Sequence, residues 1–319
     1  GFGSKRVTKR FIRWIQKYDP DVIHLHNIHG YYINLVELFE YLRTSNKKII
    51  WTLHDCWAFT GHCVYFDYVM CDAWKTGCKK CIQKREYPIC KGISQSRKNY
   101  ERKKKSFTNI PNLTLVTPSK WLCELVKDSY LKDYPIKVIH NGVDCSVFYK
   151  RNSDLRKKYE IGKDKKIILG VASNWNKRKG LDYLIKLANL IDEQIVVIGI
   201  SEEQRKILPP NMIGITRTNN INELAEWYSI ADVFVNPTLE DNYPTTNLES
   251  IACGTPVVSF ATGGSVESAE MYGMIVPKGD VNELYRAVQY VLEGKIKKKE
   301  ILVSKEKMIE DYISLYRKL

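Results

Sequence analysis

Two carboxylates, Asp241 and Glu249, stand with seven residues between them in the segment Thr238–Pro256, TLEDNYPTTNLESIACGTP, with Glu240 directly before the first of them. The apolar run Asp232–Pro237, DVFVNP, reads as a strand, and a helix is expected to begin near Thr245. A loop at the carboxyl end of a parallel strand is where α/β sheets bind ligands. The first amides of the following helix, here those of Thr245 and Thr246, carry partial positive charge and suit a phosphate. In that setting one acid can reach a sugar hydroxyl while the other reaches a ribose. The plainer reading is that Asp241 caps the helix and Glu249 pairs with a lysine. A second strand–loop–helix, ILGVASNWNKRKGL over Ile168–Leu181, brings Lys177, Arg178 and Lys179 to a helix start at Gly180. Cations at such a place suit a diphosphate leaving group, although a charge run also serves as a solvated face. A third such unit, ATGGSVESAE over Ala261–Glu270, offers Gly263 and Gly264, which allow close backbone approach, and then Glu267.

In the N-terminal half the informative side chains are imidazoles. WTLHDCW places His54 and Asp55 at the end of a strand, and HLHNIHG places His26 and His29 after another. His54 and Asp55 are candidate catalytic residues, and His26 and His29 candidate acceptor or sugar contacts. Cys63, Cys71, Cys78 and Cys81 lie in an irregular stretch, with His62 and Cys90 nearby. Cys78-x2-Cys81 is a knuckle-like pair, and two upstream thiols complete the count for a structural zinc; a set of free buried thiols is the alternative.

These residues need elements to position them. The chain has 319 residues, which suits two domains rather than one core. Strands are expected at 21–24, 49–53, 113–117, 137–139, 167–172, 195–199, 232–236 and 256–259. Helical stretches, such as 32–42, 181–191 and 223–230, alternate with them. Short Val- and Ile-rich strands alternating with helices mean an α/β protein with parallel, doubly wound sheets. Asn220 before Glu223 and Asp280 before Glu283 sign two helix starts. A boundary fits near 147–152, giving domains 1–148 and 149–319. Residues 60–91 form a Cys-rich insertion, and 300–319 a final helix.

Lysine and arginine total 50 against 36 acids, a net charge of +14, and the excess is partly clustered at 97–105 and 295–299. Such a surface attracts polyanions. No zinc-finger or RNA-binding signature accompanies it, so nucleic acid is not an expected partner. No apolar run spans a bilayer and no signal peptide is evident, so the expected location is cytoplasmic. Nine cysteines without an export signal read as thiols or metal ligands, not disulfides. Val7, Phe11, Ile15 and Tyr18 share a helical face among Lys5, Arg6, Lys9, Arg10, Arg13 and Lys17. Packing on the sheet is the expected use of that stripe, and peripheral attachment to the inner face of a membrane is the other.

Taken together, the three C-terminal segments resemble the retaining GT-B glycosyltransferases of family 4 (glycosyl transferases group 1), over roughly 21–293. The Asp241-x7-Glu249 register matches that family's paired-acid motif, with Asp in place of the usual Glu and Asn242-Tyr243-Pro244 in place of Gly-Phe-Gly; the trailing ESIACGTPVV matches the family pattern as well. The resemblance implies two Rossmann-like domains facing a cleft, with the nucleotide on the C-terminal one. It implies that Glu249 binds ribose hydroxyls, that amides near Thr245 and Thr246 contact the diphosphate, and that Asp241 or Glu240 touches the donor sugar. Lys179-Gly180 matches the pair that clamps the diphosphate. The family's upstream Arg is replaced by Ser173 or Asn174, for which Arg178 is the candidate substitute. The 217–220 segment, RTNN, falls at the base-binding loop. His54 would lie beside the transferred sugar.

The implied reaction moves a sugar from a UDP- or GDP-linked donor to a saccharide or lipid-linked acceptor with retention, without a catalytic metal, in glycan or polysaccharide synthesis. The family's first strand and Gly-rich loop are not found, so the N-terminal domain reads as lacking that unit, and a non-catalytic or truncated nucleotide-sugar-binding protein is the alternative. A nicotinamide oxidoreductase is disfavoured because no G-x-G-x-x-G follows an early strand.

Overall fold

The computed structural model describes residues 2–90, 92–296 and 303–319, and these form two compact units, 1–140 with 311–319, and 141–310. The break falls at His140/Asn141, earlier than the expected 148/149. The reason is local: the Val143 amide donates to the Val303 carbonyl and the Lys305 amide to the Val143 carbonyl, which ties the crossing segment to the second unit. The last residues count with the first unit, contrary to the expected 149–319 domain.

In the first unit the order is α1 (Lys5–Tyr18), β1 (Val22–Leu25), α2 (Leu35–Thr44), β2 (Lys48–Thr52), α3 (Ala73–Thr76), α4 (Ser96–Phe107), β3 (Leu113–Thr117), α5 (Lys120–Lys127) and β4 (Ile136–Val138). The strands pair in parallel in the order β1-β2-β3-β4. Every residue of β3 is buried, as the continuous apolar run requires of a sheet covered on both faces. The Cys-rich insertion follows a short turn at Trp57–Phe59 and, among the described residues, has no regular element beyond α3, but it is not separate from the core. Phe66 and Trp74 stack at 5.0 Å and pack with Phe59 in the first unit's cluster.

Helix α1 corrects one expectation. Ile15 is buried, but Val7, Phe11, Trp14 and Tyr18 are 65, 45, 58 and 70% exposed. Phe11 stacks on Trp14 and Trp14 on Tyr18, so the stripe is continuous and faces outward instead of packing on the sheet. Among the described residues no helix is long and apolar enough to cross a membrane.

The second unit runs α6 (Leu155–Lys158), β5 (Ile167–Val171), α7 (Leu181–Ala188), β6 (Gln194–Ile198), α8 (Glu202–Arg205), β7 (Met212–Ile215), α9 (Ile221–Ile230), β8 (Val233–Asn236), α10 (Thr245–Ala252), β9 (Val257–Phe260), α11 (Ser265–Ala269), β10 (Gly273–Val276), α12 (Val281–Leu292) and α13 (Lys305–Lys318). Residues 311–318 of α13 belong to the first unit. The final helix was expected from 300; residues 300–302, like 297–299 of the basic cluster, lie outside the described residues.

All strands are parallel, in the order β10-β9-β8-β5-β6-β7. Alternate strand residues feed two cores: Ile168, Val197, Val235 and Val258 one, Leu169, Val196, Phe234 and Val257 the other. This is a doubly wound sheet with both faces covered. β7 and β10, each with only half-buried middle residues, were not anticipated from sequence. Both signed helix starts are present: the Asn220 side chain accepts from the Glu223 amide and Asp280 from those of Asn282 and Glu283.

Candidate functional site

Strand order decides where the second unit can bind a ligand. From β5 the chain winds outward through β6 to β7; from β8 it winds the other way through β9 to β10. β5 and β8 are neighbours, so the loops that follow them meet at the topological switch point, where doubly wound sheets bind ligands. The two strongest sequence motifs are these loops.

After β5, Asn176 caps a single turn, Lys177–Lys179, by accepting the Lys179 amide at 3.2 Å. Lys179 Nζ then meets Asp241 Oδ2 at 2.6 Å, in the loop after β8. Arg178 meets the same loop one residue earlier: Nη1 donates to the Glu240 carbonyl at 2.8 Å, and its own carbonyl accepts from the Leu239 amide. Arg178 therefore holds the shape of the 237–244 loop, and Lys179 is the cation at its acidic side chain. Glu240 is buried and Asp241 half-buried, so of the two acids Asp241 is the one joined to Lys179.

Helix α10 starts directly after that loop. Its N-cap is Pro244, whose side chain caps nothing, leaving the first amides, Thr245 and Thr246 among them, without a side-chain cap. One turn on, Glu249 accepts a hydrogen bond from Tyr228 Oη at 3.0 Å and another from the Thr245 side chain. Burial pushes the Glu249 carboxyl above the usual range, while these two donors pull it back. A half-desolvated carboxylate held by a fixed phenol is a good acceptor for vicinal hydroxyls.

Sequence reasoning missed what lies beneath α10. Asn247 is fully buried; its amide donates to Ser268 Oγ at 2.9 Å and Ser265 Oγ at 3.2 Å, and its carbonyl accepts from Asn236 at 2.8 Å. This network locks α10 to β8 and α11. The polar spacing Asn236, Asn247, Ser265 and Ser268 was its signal. Gly263 takes φ 51°, and Gly264 caps α11. Burial, and after it the nearby Glu267 carboxylate, raise the Tyr243 phenol well above its ordinary range, so these residues border the same loop. Asn219 and Asn220 both bind Glu223, the amide of Asn219 at 2.6 Å, so this part of the RTNN segment is spent on starting α9.

In the first unit, the carboxyl ends of β1 and β2 gather the histidines. His26 Nδ1 and His54 Nε2 are 2.9 Å apart, and the rings of His24, His26 and His54 are stacked or tilted against one another. His29 Nε2 meets Asp55 Oδ2 at 3.1 Å, and Asp55 Oδ1 accepts the Trp57 amide. Asp55 thus orients His29, and His26 is the partner of His54. His26, His29, His54 and Asp55 line one small hollow. His24 was not anticipated: it sits between Tyr316 Oη at 2.7 Å and Thr52 Oγ1 at 2.8 Å, and Tyr312 Oη meets Thr52 at 3.0 Å. Burial, then His26 and His54, push His24 down to about 4; burial also lowers His26 and His54. Each of these shifts favours the uncharged imidazole at His24, His26 and His54.

Cys63 and Cys78 are buried and Cys71 and Cys81 partly so, all as free thiols. Among the described residues no three His, Cys, Asp or Glu donors already stand as a metal-holding group.

Comparison with known proteins agrees with this architecture. Residues 3–147 match the model described as Glycosyltransferase Family 4, and residues 165–294 the one described as Glycosyl transferases group 1. A glycosyl transferase of Escherichia coli K12 named WcaC, and assigned by its name to colanic acid biosynthesis, is 23% identical over 94% of this chain and 77% of its own. Sucrose-phosphate synthase from Thermosynechococcus elongatus superposes with a TM-score of 0.70 at 20% identity, over 98% of this chain and 78% of that one. Anabaena HepE in complex with UDP superposes at 0.68 and 14% identity, over 98% and 82%. The chain belongs to the GT-B glycosyltransferases, with a family 4 first unit and a group 1 second unit.

Proposed function

We propose that the second unit binds a UDP- or GDP-linked sugar at the β5/β8 switch point, and that the enzyme transfers the sugar with retention to a saccharide or lipid-linked acceptor in glycan synthesis. The observation that carries this reading is the Lys179–Asp241 pair, set beside the start of the helix that bears Glu249. Lys179 and the α10 amides take the diphosphate, Glu249 the ribose hydroxyls, and Asp241, once Lys179 turns to the phosphates, a hydroxyl of the sugar. The names of the relatives support it, since one is tied to a polysaccharide and one structure holds UDP.

The anomeric carbon–phosphate oxygen bond breaks and the acceptor oxygen bonds from the same face. The acceptor's proton passes to the departing phosphate, giving the glycoside and the nucleoside diphosphate. The leaving charge falls to Lys179 and the helix amides rather than to a metal, so transfer is expected to persist in EDTA. His54 and His26, as neutral rings, serve as hydroxyl partners of the sugar or acceptor.

The outward aromatic stripe of α1, with six cations and no acid on the helix, supports attachment to an anionic membrane carrying a lipid-linked acceptor. Co-flotation with phosphatidylglycerol vesicles that is lost on Trp14→Glu tests that part. The donor site is tested by calorimetry with UDP and GDP: Glu249→Gln and Glu249→Ala should weaken the bound nucleotide sharply while the fold is retained. Unchanged affinity for both nucleotides would sink it.

A further inference from the structure

The Cys-rich insertion reaches the histidine hollow through one side chain. Tyr87 Oη lies 3.2 Å from His29 Nδ1, and the two rings meet edge to face at 5.8 Å. The other ring nitrogen, Nε2, meets Asp55 Oδ2 at 3.1 Å. A carboxylate only accepts, so Nε2 carries the proton of the neutral imidazole and Nδ1 is left as an acceptor. Tyr87 is then the donor of this bond, and its oxygen keeps lone pairs for an incoming hydroxyl.

This phenol is anchored from below. Asp55 Oδ1 accepts the Trp57 amide at 2.8 Å, and the Trp57 carbonyl accepts from Lys103 Nζ at 2.6 Å. Lys103 is 2% exposed, and its Nζ stands 3.6 Å over the Trp57 ring, which lies 5.2 Å from that of His29. Asp55, His29 and Tyr87 thus end a chain of contacts that begins at a buried cation.

A second tyrosine stands at the same rim. Tyr32 Oη donates to the Asn27 carbonyl at 3.0 Å, and its ring lies over Gly30, where a Cβ would be 3.1 Å from Cδ1. Asn27 and His29 both line the hollow. Tyr32 and Tyr87 are nevertheless 58 and 50% exposed. Exposed aromatic faces beside fixed hydrogen-bonding groups suit a saccharide, whose C–H faces stack while its hydroxyls pair.

We propose that Tyr87 selects the acceptor: with Tyr32 it seats a sugar unit at the His29 rim, and the chain through Asp55 and Trp57 to Lys103 positions its hydroxyl. This rests on the reading that the first unit takes the acceptor, and it gives the Cys-rich insertion a part in that site.

The test is saturation-transfer NMR on the full chain with UDP present. The probes are the methyl α- and β-glycosides of glucose, galactose, mannose and N-acetylglucosamine. At least one should bind wild type. Tyr87→Ala should weaken it about tenfold, and Tyr87→Phe, which keeps the ring, about threefold. Lys103→Met should weaken it in the wild-type background and add nothing to Tyr87→Ala, a coupling that a merely structural lysine would not show. Because the lysine is buried and its variant can fail to fold, the exposed Tyr87 decides. Saturation transfer to none of the glycosides overturns the proposal, as does a glycoside that binds Tyr87→Ala as well as wild type. Calorimetry with UDP alone separates this failure from that of the donor reading, which Tyr87 does not touch.

Discussion

Tyr228 Oη donates to Glu249 Oε2 at 3.0 Å, and the two residues come from different helices, α9 and α10. Tyr228 is fully buried, and its phenol is pushed well above its ordinary range by burial and by the carboxylate itself. It therefore stays a donor at every physiological pH, and it aims Glu249. Tyr228→Phe keeps the ring and removes only that bond. Affinity for UDP or GDP is expected to fall roughly tenfold, the size of a lost hydrogen bond to a charged group. Calorimetry at pH 7 checks this, and a Tyr228→Phe affinity equal to wild type would show that Glu249 needs no positioning.

Lys179 and Asp241 predict an asymmetric pair of variants. Lys179→Met removes the cation offered to the leaving diphosphate, so kcat should drop on the order of a hundredfold. Asp241→Asn releases Lys179 but removes the acid offered to the sugar. It should therefore spare nucleoside diphosphate binding and raise KM for the intact donor. Equal losses of UDP affinity in both variants would show that the pair is only a structural ion bridge.

The donor site is legible in sequence because each of its residues follows a strand whose apolar run is plain, and because TLEDNYPTTNLESIACGTP binds loop and helix into one short segment. Tyr228 is not legible: it lies far back in the chain and reads as a core aromatic on α9, and only the fold brings it to Glu249. Arg178 is partly hidden for a similar reason: a cation beside Lys179 looks like a second phosphate ligand, and only the fold shows its Nη1 donating to the Glu240 carbonyl. The stripe on α1 shows the limit of periodicity, which marks Phe11 and Ile15 alike as apolar but does not say which neighbour covers them. The domain boundary moves because the pairing of Val143 with the chain near Ser304 is long-range.

The histidine cluster predicts a dependence of stability on pH. His24 has its folded value near 4, below the 6.5 of an unfolded histidine. Between those values the unfolded chain binds more protons than the folded one, so stability is full above about 6.5 and is lost as pH falls toward 4. The lowered values of His26 and His54 act in the same direction. Melting temperatures at pH of about 7.5 and about 5 should therefore differ more for wild type than for His24→Gln. A wild type whose melting point rises on acidification over this window would contradict the neutral cluster.

Gly180 offers a sharper test of the Lys179 turn, because a single methyl group suffices. Its backbone is left-handed, φ 78°, and a Cβ there would lie 2.1 Å from the Pro237 carbonyl oxygen. The clash is with backbone, so no side-chain rotation relieves it. Gly180→Ala must either shift the β5 loop away from the β8 loop or strain both, at about 2 kcal/mol or more. Either way Lys179 and Asp241 separate. The expected result is a lowered melting temperature together with a loss of donor turnover larger than the loss of UDP affinity, since Glu249 stands on α10 and is not moved. Full activity in Gly180→Ala would mean that the register of the two loops does not matter to catalysis.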